Sequence, residues 1–341
     1  MRVRGRAMAV AAGLTVILTA AACGGSNGGT SADGTPTLTL YNAQHDFVKD
    51  IAAAFTKKTG IGVRIRSGAD SELANQIVQE GKASPADVFV TENSPAMTLV
   101  DGKNLFSKVA TGTLANVPDA YEPSDADWVG FAARSTVLAY DPKALKPGDL
   151  PASILDLAQP RWKGRIGIAP AGADFQAIVS AVLATRGEAA TATWLAGLEA
   201  NAKKYPGNGA VMKAVNAGEI EAGVIYHYYW YSDRAESGAN SRNTELHYFS
   251  GGDPGAFLSI SGAGVLRSSR HQDAAQQLVA FLTSPEAQKI LAGASKEYPI
   301  ANGATQQPDL RPLSQLQPPK VDPATLNGPK VVDLMQRAGL L

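Results

Sequence analysis

Phenol side chains are concentrated in one short segment of the sequence. Four of the ten tyrosines, with one tryptophan, lie in the six residues YHYYWY from Tyr226 to Tyr231. Packing of buried aromatics is one explanation, stacking on an organic ring or cation is a second, and coordination of a hard cation by phenol oxygens is a third. Tyr228 and Tyr229 stand side by side at the exit of a predicted strand, where packing alone gives no reason for a pair.

The charge of the available donors suits a ferric ion. A bound Fe³⁺ can deprotonate a phenol whose free pKa is about 10. Two phenolates and one carboxylate together neutralise this ion, and a neutral imidazole adds a further donor. Candidate partners are Glu92 and His45, one of only four histidines, which both follow predicted strands. Taken singly, a histidine or glutamate at a strand end is more often hydrogen-bonded or solvated than a metal ligand.

The elements that must position these residues alternate between strand and helix. TLTLY at 37–41 predicts a strand, and the next segment predicts an amphipathic helix with Phe47, Ile51 and Phe55 on one face. IGVRIRSG and ADVFVTEN predict further strands, with a helix over SELANQIVQEG between them, and IEAGVIYH predicts the strand that leads into the tyrosines. Such repeated units predict an α/β fold, with mostly parallel sheets flanked by helices.

The length of the chain favours two lobes with a ligand cleft between them. We expect 37–134 and 257–306 to form the first lobe, and 135–256 and 307–341 to form the second. In open α/β sheets, ligands bind beyond the carboxyl ends of the strands, where the candidate donors fall.

The N-terminus predicts export. Residues 1–22 contain three arginines and then the apolar run Met8–Ala22, which is typical of a signal peptide and short for a membrane span of about 20 residues. Cys23, the only cysteine, resembles the lipidated residue of a lipoprotein, although Ala20 stands where such signals usually carry leucine. Residues 23–36 then predict a flexible tether. The alternatives are a free thiol or ordinary cleavage, which leaves a periplasmic protein.

Composition and motifs exclude several classes of function. Removing the 22-residue signal and its three arginines leaves 319 residues with 28 basic and 31 acidic side chains, a formal charge of −3. This balance implies neither nucleic acid nor an anionic membrane surface as a partner. The sequence lacks the G-x-S-x-G, H-E-x-x-H, P-loop and Rossmann motifs. We therefore expect a monomeric binding protein rather than an enzyme.

Five segments together resemble a known family. In the order of the chain they are LTLYNAQH, ADVFVTEN, WKGRIGIAPAGA, GEIEAGVIYHYYWY and GGDPGAFLSISGAGVL. They are similar to the ferric-ion-binding proteins of bacterial ABC iron importers, and the similarity extends from Thr37 to the C-terminus. The resemblance implies a two-lobed periplasmic-binding-protein fold with two crossover strands, Fe³⁺ bound in the cleft, and delivery to a permease in the cytoplasmic membrane.

The resemblance also implies the metal ligands. By motif they are His45 in YNAQH, Glu92 in VFVTEN, and Tyr228 and Tyr229 in YYWY. The first two lie on one lobe and the tyrosines on the other, so metal binding should favour the closed cleft. His227 should point away from the cleft by alternation.

Members of this family usually complete the coordination of iron with a small anion, phosphate or carbonate. Asn208, Gly172 and Ala173 match anion-contacting positions, but Ala171 stands where a serine is common, and Tyr226 replaces an asparagine. The loss of two side-chain donors should weaken the anion site, since each hydrogen bond to a charged group contributes about 1.5–3 kcal/mol.

Two residues are candidates for compensation. Asp174 matches a position where some relatives carry a third tyrosine ligand, so it is a candidate iron ligand, with the N-cap of the following helix as its alternative role. Arg134 matches a cleft arginine near the anion, with a surface or interlobe ion pair as its alternative. For the whole chain, the competing hypothesis is a protein of the same fold that binds thiamine, a polyamine or an oxyanion.

Overall fold

The computed structural model describes residues 35–341. The predicted signal peptide and Cys23, with most of the predicted tether, lie outside these residues. The strands, β1 to β11 in chain order, are Thr37–Asn42, Gly62–Ser67, Val88–Val90, Phe106–Ser107, Val129–Tyr140, Ile166–Ile168, Ala202–Lys204, Ala222–Tyr226, Glu245–His247, Leu258–Leu266 and Tyr298–Pro299. The α-helices, α1 to α10, are Phe47–Thr59, Asp70–Glu80, Ser94–Asp101, Thr111–Leu114, Ala173–Asn201, Asn208–Asn216, His227–Glu236, Gln272–Leu282, Pro285–Ala294 and Gly328–Arg337.

The main strands form one continuous path with two long antiparallel strands in its middle. The order is β2, β1, β3, β10, β5, β8, β6, β7. On one side of the middle, β1 pairs in parallel with β2 and β3; on the other, β6 pairs in parallel with β7 and β8. Strand β5 pairs with β10 through its first half and with β8 through its second half. This strand therefore connects the two halves of the molecule.

Each half has its own apolar core. The first core collects side chains from β1, β3, α1 and α8, and the second from β6, β8, α5 and α10. In the C-terminal segment, Leu310 and Leu316 belong to the first core, whereas Val331 and Leu334 of α10 belong to the second. The segment 307–341 thus packs on both halves, and the lobe boundaries given by the sequence remain a prediction.

The local patterns agree with the elements that form. In α1, the predicted face of Phe47, Ile51 and Phe55 is buried, and Gly60 ends the helix with a φ of 78°, a left-handed conformation that favours glycine. Between residues 35 and 341, no helix combines the length and apolarity that a membrane crossing needs.

Candidate metal centre

The four side chains singled out by motif meet at one place. His45 follows β1 and Glu92 follows β3, and these strands are parallel neighbours, so both residues lie at the same edge of the sheet. The Nε2 atom of His45 lies 3.2 Å from Oε1 of Glu92. The hydroxyl of Tyr228 donates to the same Oε1 atom at 3.1 Å. The rings of Tyr228 and Tyr229 lie 4.3 Å apart between centroids.

The start of α7 explains how two adjacent tyrosines face one cleft. Strand β8 ends at Tyr226, and α7 begins at His227, so Tyr228 and Tyr229 both lie in the first helical turn. Their directions diverge by about 100° around the helix axis, and each hydroxyl meets a different carboxylate. Tyr228 contacts Glu92 of the other half, and Tyr229 donates to Oδ2 of Asp174 at 3.3 Å.

Asp174 belongs to this cluster. It is the second residue of α5, whose N-cap is Gly172, so the alternative role of Asp174 as an N-cap is wrong. Its carboxylate accepts hydrogen bonds from the side-chain amides of Asn208 at 2.6 Å and Asn93 at 3.1 Å. Asn93 comes from the first half of the molecule, and thus this contact also crosses the cleft. Gly172 and Ala173 lie beside Asp174 where α5 begins.

Arg134 lies beneath the cluster and not on the surface. It is fully buried in β5, and its Nη2 atom lies 2.7 Å from Oε2 of Glu297. Its Nη1 atom lies 3.5 Å from Oε1 of Glu92 and donates to the Glu92 carbonyl oxygen. The guanidinium also lies over the Tyr228 ring, 5.5 Å from its centroid. Arg134 thus forms a buried ion pair at the floor of the cluster.

Sequence reasoning missed Asp70, Asn93 and Glu297. The carboxylate of Asp70 accepts from the backbone N–H groups of Glu92 at 2.8 Å and Asn93 at 3.0 Å, and this fixes the turn that presents Glu92. Asp70 opens α2, where an acidic residue is ordinary, so nothing in its local sequence distinguishes it. Glu297 has no local signal either, since it lies in an irregular segment before β11.

Two other residues of the tyrosine segment, His227 and Tyr226, are fully buried. His227 is buried, accepts a hydrogen bond from the Ser135 backbone N–H at 3.1 Å, and stacks on Tyr298 with 4.5 Å between ring centroids. Tyr226, at the end of β8, is fully buried in the second core. His227 illustrates the packing explanation, whereas burial followed by the charge of Asp174 raises the pKa of Tyr226. Tyr228 and Tyr229 also pack against the second core, but their hydroxyls contact carboxylates.

Burial and neighbouring charges shift the pKa values of the acidic groups in the cluster. Burial alone would raise the pKa of Glu92, but the charge of Arg134 and the contact with His45 lower it to about 2. Burial, followed by the charge of Glu92, raises the pKa of Asp174 to about 7. Burial, followed by the charge of Asp174, raises the pKa of both Tyr228 and Tyr229. Both phenols therefore keep their protons at neutral pH.

We expect the iron-free protein to lose stability as pH rises from about 4 to about 7, partly because of Asp174. A carboxyl with a raised pKa favours the folded state below its unfolded pKa, 3.8, and this contribution is lost progressively as pH rises from there to about 7. Asp174→Asn removes the cost of the buried charge, so its free energy of unfolding at pH 8 should exceed that of wild type by up to about 4 kcal/mol, which corresponds to the rise of the pKa from 3.8 to about 7. The difference should shrink at pH 5.

Chemical denaturation of the iron-free proteins at both pH values measures this difference. Asp309→Asn is the matched control, because Asp309 is exposed and paired with Lys296 at the surface. Identical pH dependence of wild type and Asp174→Asn would show that this carboxyl carries no burial cost.

The sequence matches a family model described as bacterial extracellular solute-binding protein over residues 83–323. A relative in Serratia marcescens, named Fe(3+)-binding periplasmic protein, is 55% identical over 306 residues, which cover 89% of this chain and 90% of that protein. The major ferric iron-binding protein of Neisseria meningitidis is 38% identical over 307 residues, covering 89% and 93%.

The fold is similar to that of a solved structure, iron-bound HitA from Pseudomonas aeruginosa. The TM-score is 0.84 at 44% sequence identity, and the match covers 89% of this chain and 99% of that one. The predicted two-lobed α/β fold of the periplasmic-binding-protein type is thereby confirmed. These relatives are named for binding rather than for a reaction.

Proposed function

Because the chain belongs to the family of bacterial extracellular solute-binding proteins, we propose that it captures Fe³⁺ in the cleft between its lobes and delivers it to an ABC permease. The observation that carries this proposal is the contact across the cleft. The Tyr228 hydroxyl and His45 both meet Oε1 of Glu92, at 3.1 and 3.2 Å. Hard oxygen donors with one imidazole suit Fe³⁺, and the relatives named above bind ferric iron.

The proposed ligands are His45 and Glu92 from the first lobe, and Tyr228, Tyr229 and Asp174 from the second. Without iron, the phenol oxygens carry protons, and the Tyr228 hydroxyl donates to Glu92. Iron replaces these protons and is bound by both lobes at once. Because only the closed cleft brings all donors together, the ion stabilises the closed state relative to the open one.

A small anion, phosphate or carbonate, would complete the coordination near Gly172, Ala173 and Asn208. The geometry reduces what such an anion would contribute. Asn208 already donates to Asp174 at 2.6 Å, and Arg134 is paired with Glu297. We infer that the carboxylate of Asp174 supplies negative charge that an anion would otherwise provide, so that iron binding depends only weakly on either anion.

Ferric iron added to the purified protein tests both proposals. Coordination by phenolates should produce a red-brown colour through charge transfer from phenolate to iron, with one ion bound per chain. Removing phosphate and carbonate from the buffer should weaken iron retention against a chelator by less than about tenfold. A tenfold loss is smaller than the loss expected if the anion accepted two hydrogen bonds from the protein, since each hydrogen bond to a charged group contributes about 1.5–3 kcal/mol. Binding without a visible band would contradict the phenolate site, and favour the organic-cation or oxyanion alternative.

The family places the protein outside the cytoplasm. Anchoring to the outer face of the cytoplasmic membrane through a lipid on Cys23, and a monomeric state, are further proposals. The mass of the mature N-terminus tests the anchor, since a chain that begins at an unmodified residue would exclude it. Light scattering of the purified protein tests the monomer.

A further inference from the structure

A buried ion pair lies directly beneath the first-lobe half of the candidate centre. Arg134 and Glu297 are both fully buried, and their Nη2 and Oε2 atoms lie 2.7 Å apart. Their positions in the chain are 163 residues apart. A buried pair of this kind is weak evidence for stability, because apolar residues of similar volume often stabilise a protein as well or better. Its retention here calls for a functional reason.

The pair holds the backbone at both first-lobe ligands. Arg134 donates through Nη1 to the carbonyl oxygen of Glu92. Through Nη2 it donates to Oε1 of Gln44 at 3.3 Å, and the same oxygen accepts from the His45 backbone N–H at 2.9 Å. Gln44 in turn donates to Oε2 of Glu297 at 3.3 Å. The Arg134 guanidinium thus contacts both segments that carry the first-lobe ligands. Glu297 accepts hydrogen bonds from Arg134 and from Gln44.

This arrangement places a fixed positive charge close to the proposed ferric site. The Nη1 atom of Arg134 lies 3.5 Å from Oε1 of Glu92, the oxygen that His45 and Tyr228 also contact. Arginine does not lose its proton in proteins. Without a counter-charge, Arg134 would repel a trivalent cation bound by Glu92, and repulsion at such distances is strong where water is excluded.

Glu297 is placed to cancel this charge. Its Oε2 atom pairs with Arg134, whereas its Oε1 atom lies 3.7 Å from Nε2 of His45. Among residues 35–341, Oε1 has no hydrogen-bond partner. A buried carboxylate oxygen without a partner is costly, and its orientation toward His45 adds negative charge on the side of the candidate metal.

We propose that Glu297 is a positioning residue for Fe³⁺ binding, which neutralises Arg134 so that this arginine can hold both first-lobe ligands without repelling the ion. The proposal rests on the ferric site proposed above. It assigns to Glu297 no direct bond to iron.

Glu297→Gln tests the charge with little change of shape. The amide oxygen can still accept from Arg134 and Gln44, but the negative charge is lost. Iron should then leave to a competing chelator at least about tenfold faster than from wild type, because an uncompensated unit charge acts on a trivalent ion. The Fe³⁺/Fe²⁺ reduction potential of the bound ion should rise, since the extra positive charge opposes the ferric state more than the ferrous state. A purely structural role would not predict this rise.

Removing both charges should repair the electrostatic defect. In Arg134→Met/Glu297→Gln the local charge returns to that of wild type, so the potential should return toward the wild-type value, and iron should leave more slowly than from Glu297→Gln alone. Arg134→Met alone leaves Glu297 unpaired, and its potential should fall below that of the double variant. This last comparison remains informative even if Glu297→Gln does not fold.

Glu286→Gln is the matched control, because Glu286 is exposed and paired with Lys58 on the same lobe. It should release iron at the wild-type rate. Suppose that wild type binds iron and that folded Glu297→Gln has the same rate of iron release and the same reduction potential. This result would refute the role of Glu297 but not the ferric site. An equal potential in Arg134→Met and the double variant refutes this role too. A wild-type protein that binds no iron would overturn both proposals.

Discussion

Replacement of Tyr228 or Tyr229 by phenylalanine should remove the charge-transfer absorbance that the replaced phenolate contributes and so weaken the visible band of the ferric protein. Each substitution keeps the ring, so the packing of the two rings at 4.3 Å should survive. It removes one anionic donor from the ion. Mutation of residues that merely orient a metal ligand already costs about 10–100-fold in affinity, so loss of a direct donor should cost more than about a hundredfold.

The visible spectrum and the rate of iron loss to a mild chelator measure this effect. Tyr231→Phe is a matched control in the same helix, because the Tyr231 hydroxyl accepts from Tyr248 at 3.3 Å and not from a group of the cluster. It should keep both colour and iron. A Tyr229→Phe protein with unchanged colour and retention would remove Tyr229 from the ligand set, and the same applies to Tyr228.

Acidification should release iron steeply, because metal binding displaces protons. Both phenols carry a proton in the empty protein, since burial raises the pKa of each. Asp174, with a pKa of about 7, is about half protonated at neutral pH. For His45, burial lowers the pKa, but the contacts with Glu92 and Glu297 raise it above its ordinary value. We expect about two to four protons to leave per iron bound, hence an affinity that falls about a hundredfold or more per pH unit.

Calorimetry in buffers of different ionisation enthalpy counts these protons directly at pH 7. The number of protons released per iron bound should decrease by one in Tyr229→Phe, because one phenol is lost. It should keep the wild-type value in Tyr231→Phe. Iron that binds without proton release, or that stays bound undiminished in mild acid, would require a site without phenolates.

Local sequence patterns predict much of the fold. The buried face of Phe47, Ile51 and Phe55 and the glycine that ends α1 follow the helical repeat and the left-handed conformation of Gly60. The alternation of strands and helices predicts parallel pairing, and β1 with β3 shows it. Because parallel neighbours end at the same edge of a sheet, the sequence also indicated that His45 and Glu92 would lie together.

The role of Asp174 could not be decided in the same way. An aspartate at the start of a helix is typical of an N-cap or of a favourable charge near the helix N-terminus. The structure instead joins it to Asn208 and, across the cleft, to Asn93, which is 81 residues away. No local pattern records such a contact, since it depends on how the two lobes close.

The sequence by itself determined which metal-binding side chains are available: one imidazole, carboxylates and a pair of phenols, each at the end of a recognisable element. Only the tertiary structure decided which charged groups share that space, above all Arg134 with Glu297 and Asp70 with the Glu92 backbone. The physical reason is that periodicity and capping act over a few residues. Contacts between distant segments are set by the order of the strands and by the packing of two cores, and these bring Gln44 to Glu297 across 253 residues.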